Sequence, residues 1–263
     1  MGNLVSVILL GVIEGITEFL PVSSTGHLLI AEHWLGRRPD TFNVVIQAGA
    51  ILAVVFIYRE RLWRLAGGFA QRENRDYTLK LALAFAITAA LGFAVTKLGF
   101  KLPERIAPVA WALLIGGFWM IAAEWLAAKR ADDARVSWTV AILVGLAQVV
   151  AAIFPGTSRS AATIFVALLF GVTNRVAATE FAFLVGIPTM FAATAYELLE
   201  VYKDGGVAGE DWTGLAIAFV AAAITAFVAV KWLLRYIQSH RFTAFALYRI
   251  VLGAALLLLL PAG

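Results

Sequence analysis

Two short polar stretches interrupt an apolar chain, and their residue types suit phosphate chemistry. The first, EGITEFLPVSSTGH at 14–27, brings two carboxylates, a run of three hydroxyls and an imidazole into one segment. The second, PGTSRSAAT at 155–163, combines hydroxyls with a guanidinium. Carboxylates bind cations, a hydroxyl beside a base can attack phosphorus, and a guanidinium binds phosphate through paired hydrogen bonds.

The carboxylates of Glu14 and Glu18 are four residues apart, so they share one face of a helix. A charged side chain at the centre of a bilayer costs about 2.5–3.5 kcal/mol on insertion scales, so the pair requires a cation, a proton or a basic partner. A divalent cation, Mg2+ or Ca2+, would need water or phosphate oxygens to complete its shell. The structural alternative is a pair neutralised by Arg159 or Arg249.

The hydroxyls of the first stretch follow a proline. Ser23, Ser24 and Thr25 precede the helix pattern LLIAEHWLG. One hydroxyl suffices to cap that helix, and the free N–H groups at its start also suit an anion. His27 lies three residues after Ser24, so we expect this hydroxyl to meet the imidazole, the arrangement that activates a serine nucleophile.

The second stretch repeats the arrangement. Thr157, Ser158 and Ser160 supply hydroxyls before a second helix, and Arg159 adds the planar fork that binds phosphate. Arg159 could also pair with a glutamate of the first stretch, alone or together with phosphate. The two stretches predict a phosphate-handling site within the membrane. Further polar side chains are expected to line or brace it: Gln47, Glu180, Tyr248 and Arg249.

The surrounding chain predicts an all-α polytopic membrane protein. Of 263 residues, 62% are hydrophobic and 14% are charged, against about 25% charged in soluble domains. The net charge of +4 is expected from cytoplasmic loops rather than from nucleic-acid binding. The absence of cysteine excludes disulfides and thiolate chemistry. The first apolar segment lacks the features of a removable signal peptide.

About six full crossings are predicted, together with two re-entrant helix–loop–helix hairpins. The hairpins are the regions 4–36 and 138–171, each split by one polar stretch into halves too short to span a bilayer. The basic loop at 59–80 is expected in the cytoplasm, which places both termini outside. The first hairpin then enters from the outer side and the second from the inner side. The predicted crossings are 42–58, 79–98, 108–127, 176–200, 214–235 and 242–261.

The two hairpins also resemble each other in sequence. ILLGVIEGITEFLPVSS at 8–24 aligns without gaps on ILVGLAQVVAAIFPGTS at 142–158, pairing Glu14 with Gln148 and Ser24 with Ser158. Together with the opposite directions of entry, this predicts an inverted repeat whose broken tips meet near the midplane. We expect one integral membrane domain over 1–263, with repeats at about 1–127 and 138–263. Gln148 is expected to form a hydrogen bond between helices.

At these motifs the chain resembles the bacterial undecaprenyl-diphosphate phosphatase family, also called the bacitracin-resistance family. EGITEFLPVSSTGH and PGTSRSAAT carry the resemblance, and VVIQAGAILAVV, EFAFLVGIP and ALYRI extend it at 44–55, 180–188 and 246–250. Many members have glycine after the SRS of the second motif, where this chain has Ala161. That difference could change how closely the loop backbone approaches a substrate.

The resemblance implies that the chain removes the terminal phosphate of undecaprenyl diphosphate. This reaction recycles the lipid carrier of cell-wall synthesis and confers bacitracin resistance. The resemblance further implies dependence on a divalent cation, a bacterial plasma (inner) membrane location and a site facing the outer, periplasmic side. The expected partners are a polyprenyl diphosphate lipid and the bilayer, without nucleic acid, and a homodimer is left open.

The resemblance also suggests roles for individual residues. Glu14 and Glu18 match the acidic motif, and Ser24, His27 and Arg159 match the other catalytic candidates. We expect Ser24 to attack phosphorus with His27 as base and later acid, while Glu18 with Glu14 orients His27 or binds the cation. His27 or water as the attacking group, and a lipid flippase or transporter as the function, remain alternatives. The expected substrate-binding residues are Arg159, Ser158, Ser160, Thr157, Thr25, Ser23 and Gln47.

Overall fold

The computed structural model describes residues 2–98, 106–203 and 211–259, and within these ranges helices joined by turns and loops form its regular structure. No strand occurs in the described chain, as the apolar composition predicts. In chain order the helices are α1 (Gly2–Thr17), α2 (Ser24–Leu35), α3 (Asp40–Ile57), α4 (Arg59–Gly67), α5 (Arg72–Lys97), α6 (Ile106–Ala127), α7 (Trp138–Ile153), α8 (Arg159–Leu169), α9 (Arg175–Lys203), α10 (Trp212–Ser239) and α11 (Thr243–Leu259).

Four of the described helices, α5, α6, α9 and α10, are long and apolar enough to cross a membrane. A fifth span results if α3 and α4, which meet at a bend of 70°, are counted together. By length and composition, the described residues therefore provide four or five of the six predicted crossings. The sixth predicted crossing, at 242–261, corresponds to α11, whose described part has only 17 residues. The protein is a multi-pass membrane protein.

Each polar stretch contains a break that separates two short helices. The first break, at 18–23, separates α1 from α2, and the second, at 154–158, separates α7 from α8. Both breaks end on a serine with a positive φ, 75° at Ser23 and 70° at Ser158. Each serine hydroxyl then caps the following helix, accepting from the backbone N–H of Gly26 at 3.3 Å and of Ala161 at 3.2 Å. The same local geometry thus starts both α2 and α8.

Glycines allow the helices that surround these breaks to pack with their backbones close together. A Cβ on Gly11 of α1 would lie 2.4 Å from the carbonyl oxygen of Ala218 in α10. A Cβ on Gly117 of α6 would lie 2.8 Å from the carbonyl oxygen of Ala246 in α11. Close backbone approach through small residues is the usual means of helix association in membranes. These contacts hold α1 against α10 and α6 against α11.

Candidate active site

The two helix breaks meet at Glu18, which contacts both of them. Ser24, the first residue of α2, donates its hydroxyl to Glu18 Oε2 at 2.5 Å. Arg159, the first residue of α8, forms an ion pair through its Nη2 with Glu18 Oε1. The Glu18 side chain is 5% exposed and the Arg159 side chain 25%, so the guanidinium forms the accessible part of the cluster. The structural reading in which Arg159 neutralises the glutamate pair is therefore correct for Glu18.

Glu14 lies one helical turn before Glu18 and is fully buried. Neither of its carboxylate oxygens accepts a hydrogen bond from the described residues. Glu18 and Arg159 are the charged groups that act on it electrostatically. Burying a charged carboxylate without hydrogen-bond donors costs free energy, so a bound proton or cation would stabilise Glu14. The described residues contain no group of three or more acidic or histidine side chains that could hold a metal, so a cation here would need oxygens from a ligand or water.

The predicted hydrogen bond between Ser24 and His27 is not formed. His27 Nδ1 lies 2.7 Å from the carbonyl oxygen of Ser23, and its Nε2 lies 2.6 Å from the hydroxyl of Tyr248 on α11. Both ring nitrogens are thus engaged elsewhere, and Ser24 uses Glu18 instead. The reason is tertiary: α11 and α2 both pack against α6, which brings the Tyr248 hydroxyl to the imidazole, while the break returns Glu18 to the start of α2.

Most of the other predicted hydroxyls hold the backbone of the breaks. The hydroxyl of Ser158 contacts that of Ser160 at 3.0 Å, and Ser160 donates to the carbonyl oxygen of Leu20 at 3.1 Å, joining the second break to the first. Thr25 is exposed beside the site. Gln47 is half-buried on α3 and makes none of the hydrogen bonds that join the breaks.

Arg249 of α11 clamps both breaks, a role that sequence reasoning only hinted at. Its guanidinium is completely buried and donates to the carbonyl oxygens of Thr157 at 2.9 Å, Gly156 at 3.0 Å and Pro21 at 3.3 Å. It also donates to α6, at the carbonyl oxygen of Ala112. The expectation that Arg249 braces the site is confirmed, whereas its pairing with a glutamate is not seen. The available sequence signal was a lone arginine within the apolar run of α11.

Three further polar side chains were predicted within the membrane, and the structure shows the partner of each. Gln148 does bond between helices, donating to Thr88 of α5 at 2.9 Å. Tyr248 lies at the site, where its hydroxyl contacts His27. Glu180 does not, because its carboxylate pairs with Arg61 of α4 at 3.0 Å.

Comparison with known proteins identifies the family of this chain. Residues 7–255 match the family model described as bacitracin resistance protein BacA. The chain belongs to the BacA family. That match contains both breaks and most of α11, and it confirms the resemblance carried by the two polar stretches.

Individual relatives in the family are similar over nearly their whole length. The undecaprenyl-diphosphatase of Xanthomonas oryzae pv. oryzae (strain PXO99A) is 64% identical over 263 residues, covering 100% of this chain and 99% of the relative. The undecaprenyl-diphosphatase of Rhizobium etli (strain CIAT 652) is 66% identical over 255 residues, covering 97% of this chain and 96% of the relative.

Proposed function

We propose that this protein is an enzyme that hydrolyses undecaprenyl diphosphate to undecaprenyl phosphate and inorganic phosphate. The observation that carries the proposal is the Ser24–Glu18–Arg159 cluster at the meeting point of two helix breaks. The cluster provides a hydroxyl, its base and a guanidinium in one place. The printed name of the similar proteins, undecaprenyl-diphosphatase, supplies the substrate.

The geometry favours Glu18 as the base. Glu18 accepts the Ser24 hydroxyl proton as the oxygen attacks the terminal phosphorus, and the bond from that phosphorus to the bridging oxygen breaks. Undecaprenyl phosphate leaves, and water then attacks the phosphoserine to release inorganic phosphate and restore the hydroxyl. Arg159 holds the phosphate oxygens during both steps. His27 is given no proton transfer in this scheme, because its Nδ1 faces the Ser23 carbonyl oxygen and its Nε2 faces the Tyr248 hydroxyl, contacts that join α2 to α11.

A divalent cation fits the acidic side of the site. Glu14 and Glu18 would hold it, because the two Glu14 oxygens are buried and accept no hydrogen bond from the described residues. When bound, Mg2+ or Ca2+ would neutralise charge that develops on the phosphate oxygens. The substrate would supply the ligands that two carboxylates cannot.

The proposed architecture is an inverted repeat over one membrane domain, with repeats at about 1–127 and 138–263. The packing supports it, because α1 lies against α10 as α7 lies against α5. Gly11 and Gly145 make these contacts, and a Cβ on Gly145 would lie 2.8 Å from the Ala84 carbonyl oxygen. The two serine caps further suggest that Ser23, rather than Ser24, corresponds to Ser158. This pairing requires a one-residue gap within the break.

We place the protein in the bacterial plasma membrane with the site facing the outer side. Charge supports this orientation, since the segment 59–80 that contains α4 is rich in arginine. The α1–α2 pair is then a hairpin entered from outside, and the α7–α8 pair one entered from inside. Substrate arriving in the outer leaflet would meet the Arg159 side of the cluster.

The experiment is phosphate release from undecaprenyl diphosphate by detergent-solubilised protein, where no gradient can drive transport. Arg159→Ala should abolish release, whereas Arg135→Ala, an exposed arginine in a loop, should retain it. Lipid transport in vesicles without any phosphate release would overturn the proposal in favour of a flippase, which the names of the relatives do not favour.

A further inference from the structure

A basic cavity lies at the end of the helices that carries the α6–α7 loop, and none of the catalytic side chains lines it. Its volume is about 270 Å³. It is formed by the end of α6, the α8–α9 turn and the α10–α11 turn, and three of its lining side chains are arginines: Arg130, Arg175 and Arg241. None of them takes part in the proposed reaction.

The wall of this cavity is held rigid by hydrogen bonds between its loops. Thr173 donates its hydroxyl to the carbonyl oxygen of Ala131 at 2.7 Å and accepts the backbone N–H of Asp133 at 2.7 Å. Arg130 donates to the carbonyl oxygen of Leu169. The α6–α7 loop and the α8–α9 turn are thus fastened together, which preorganises the cavity.

The acidic side chains of the cavity are already engaged by the protein itself. Glu124 accepts from Arg175 at 2.8 Å and from the backbone N–H of Phe242 at 3.1 Å, just before α11. Asp132 accepts from the side chain of Asn174 at 3.2 Å. Donors remain in excess, because Arg241 bonds to none of the described residues and Arg175 uses only its Nε. The excess suits an anion with several oxygens.

Apolar groups adjoin the charged lining. Ala127 and Leu168 form part of the cavity wall. On the same last turns of α6, Trp125 and Leu126 are 55% and 44% exposed, a surface suited to acyl chains. In the orientation proposed above this end of the helices faces the cytoplasm, where basic pockets between membrane helices are a recurrent place for phosphate headgroups. A lipid phosphate therefore fits this position better than a soluble anion does.

We infer that this cavity binds the phosphate headgroup of an anionic membrane lipid, with Arg241 and Arg175 holding the phosphate oxygens and the lipid chains lying along α6. The site is separate from the catalytic cluster, so it would operate whether or not the protein hydrolyses undecaprenyl diphosphate.

The test is native mass spectrometry of the purified full chain in detergent with equal amounts of phosphatidylglycerol and phosphatidylcholine. We expect preferential retention of phosphatidylglycerol, weakened about fivefold in Arg241→Gln, since a basic side chain near a membrane contributes about that factor. Arg135→Gln is the matched control, because Arg135 is an exposed arginine of the neighbouring loop that does not line the cavity. It should retain the lipid as the unchanged protein does.

Two results would overturn the inference. Equal loss in Arg241→Gln and Arg135→Gln would show a diffuse surface charge effect rather than a site. No preference for phosphatidylglycerol, combined with thermal stabilisation by inorganic phosphate that Arg241→Gln removes, would show a free-phosphate site instead. Phosphate release from undecaprenyl diphosphate, measured on the same preparations, should be unchanged in both variants. This measurement separates lipid binding at the cavity from catalysis.

Discussion

At the scale of single residues, the decisive feature is that Ser24 meets Glu18 and not His27. The Ser24 hydroxyl lies 2.5 Å from a carboxylate oxygen of Glu18, so a base that can accept its proton is already in contact with it. His27 is instead held between Ser23 and Tyr248. The two residues therefore have separable tasks, which kinetics can distinguish.

Glu18→Gln should lower kcat for phosphate release roughly 10²–10⁴-fold, because the amide cannot accept the serine proton. Phosphoenzyme should no longer form on Ser24, as measured by mass spectrometry after a quench in denaturant at neutral pH, which preserves both phosphoserine and phosphohistidine. His27→Gln should still form phosphoenzyme. The opposite pattern, with adduct in Glu18→Gln and none in His27→Gln, would restore His27 as the base or make it the nucleophile.

Glu14→Gln should remove the stabilisation that a divalent cation confers. The unchanged protein should show a Mg2+- or Ca2+-dependent rise in its thermal unfolding midpoint, because the cation would relieve the buried Glu14 carboxylate. Glu60→Gln, which alters an exposed carboxylate paired with Arg59, is the control. A cation-dependent rise that survives in Glu14→Gln would place the cation elsewhere.

At the scale of elements, α11 matters because its Arg249 fixes the geometry of both breaks. The breaks have few hydrogen bonds of their own, and the guanidinium satisfies carbonyl oxygens from each of them. Space for it comes from Gly116 on α6, where a Cβ would lie 2.2 Å from Arg249 Nη2.

Gly116→Ala should therefore displace the guanidinium, destabilise the protein by about 1–3 kcal/mol and lower kcat, although Gly116 touches no catalytic side chain. Thermal unfolding and phosphate release measure the two effects. Gly92→Ala is the matched control, since a Cβ on that helical glycine of α5 would meet nothing within 4 Å. Equal effects of the two substitutions would refute the clamp.

At the scale of the whole molecule, the proposed orientation would have the catalytic cluster open to the outer side of the membrane and the basic cavity open to the cytoplasm. The chain contains no cysteine, so single cysteines can report this directly. His33, at the end of α2, and Lys129, in the α6–α7 loop, are both exposed.

His33→Cys should react with a membrane-impermeant maleimide in intact spheroplasts, whereas Lys129→Cys should react only after the membrane is opened. Labelling is measured by the mass shift of the purified protein. Reaction of Lys129→Cys in intact spheroplasts would reverse the proposed orientation.

The sequence by itself determined the properties that arise from local pattern. Apolar run lengths predicted membrane helices, and a proline followed by hydroxyls predicted both breaks and a hydroxyl cap on the helix after the first. The tertiary structure alone decided which side chains meet. Tyr248 reaches His27 across 221 positions, and Arg249 reaches Pro21 across 228. Such contacts depend on how α11 and α2 pack against α6, and no spacing along the chain encodes that packing.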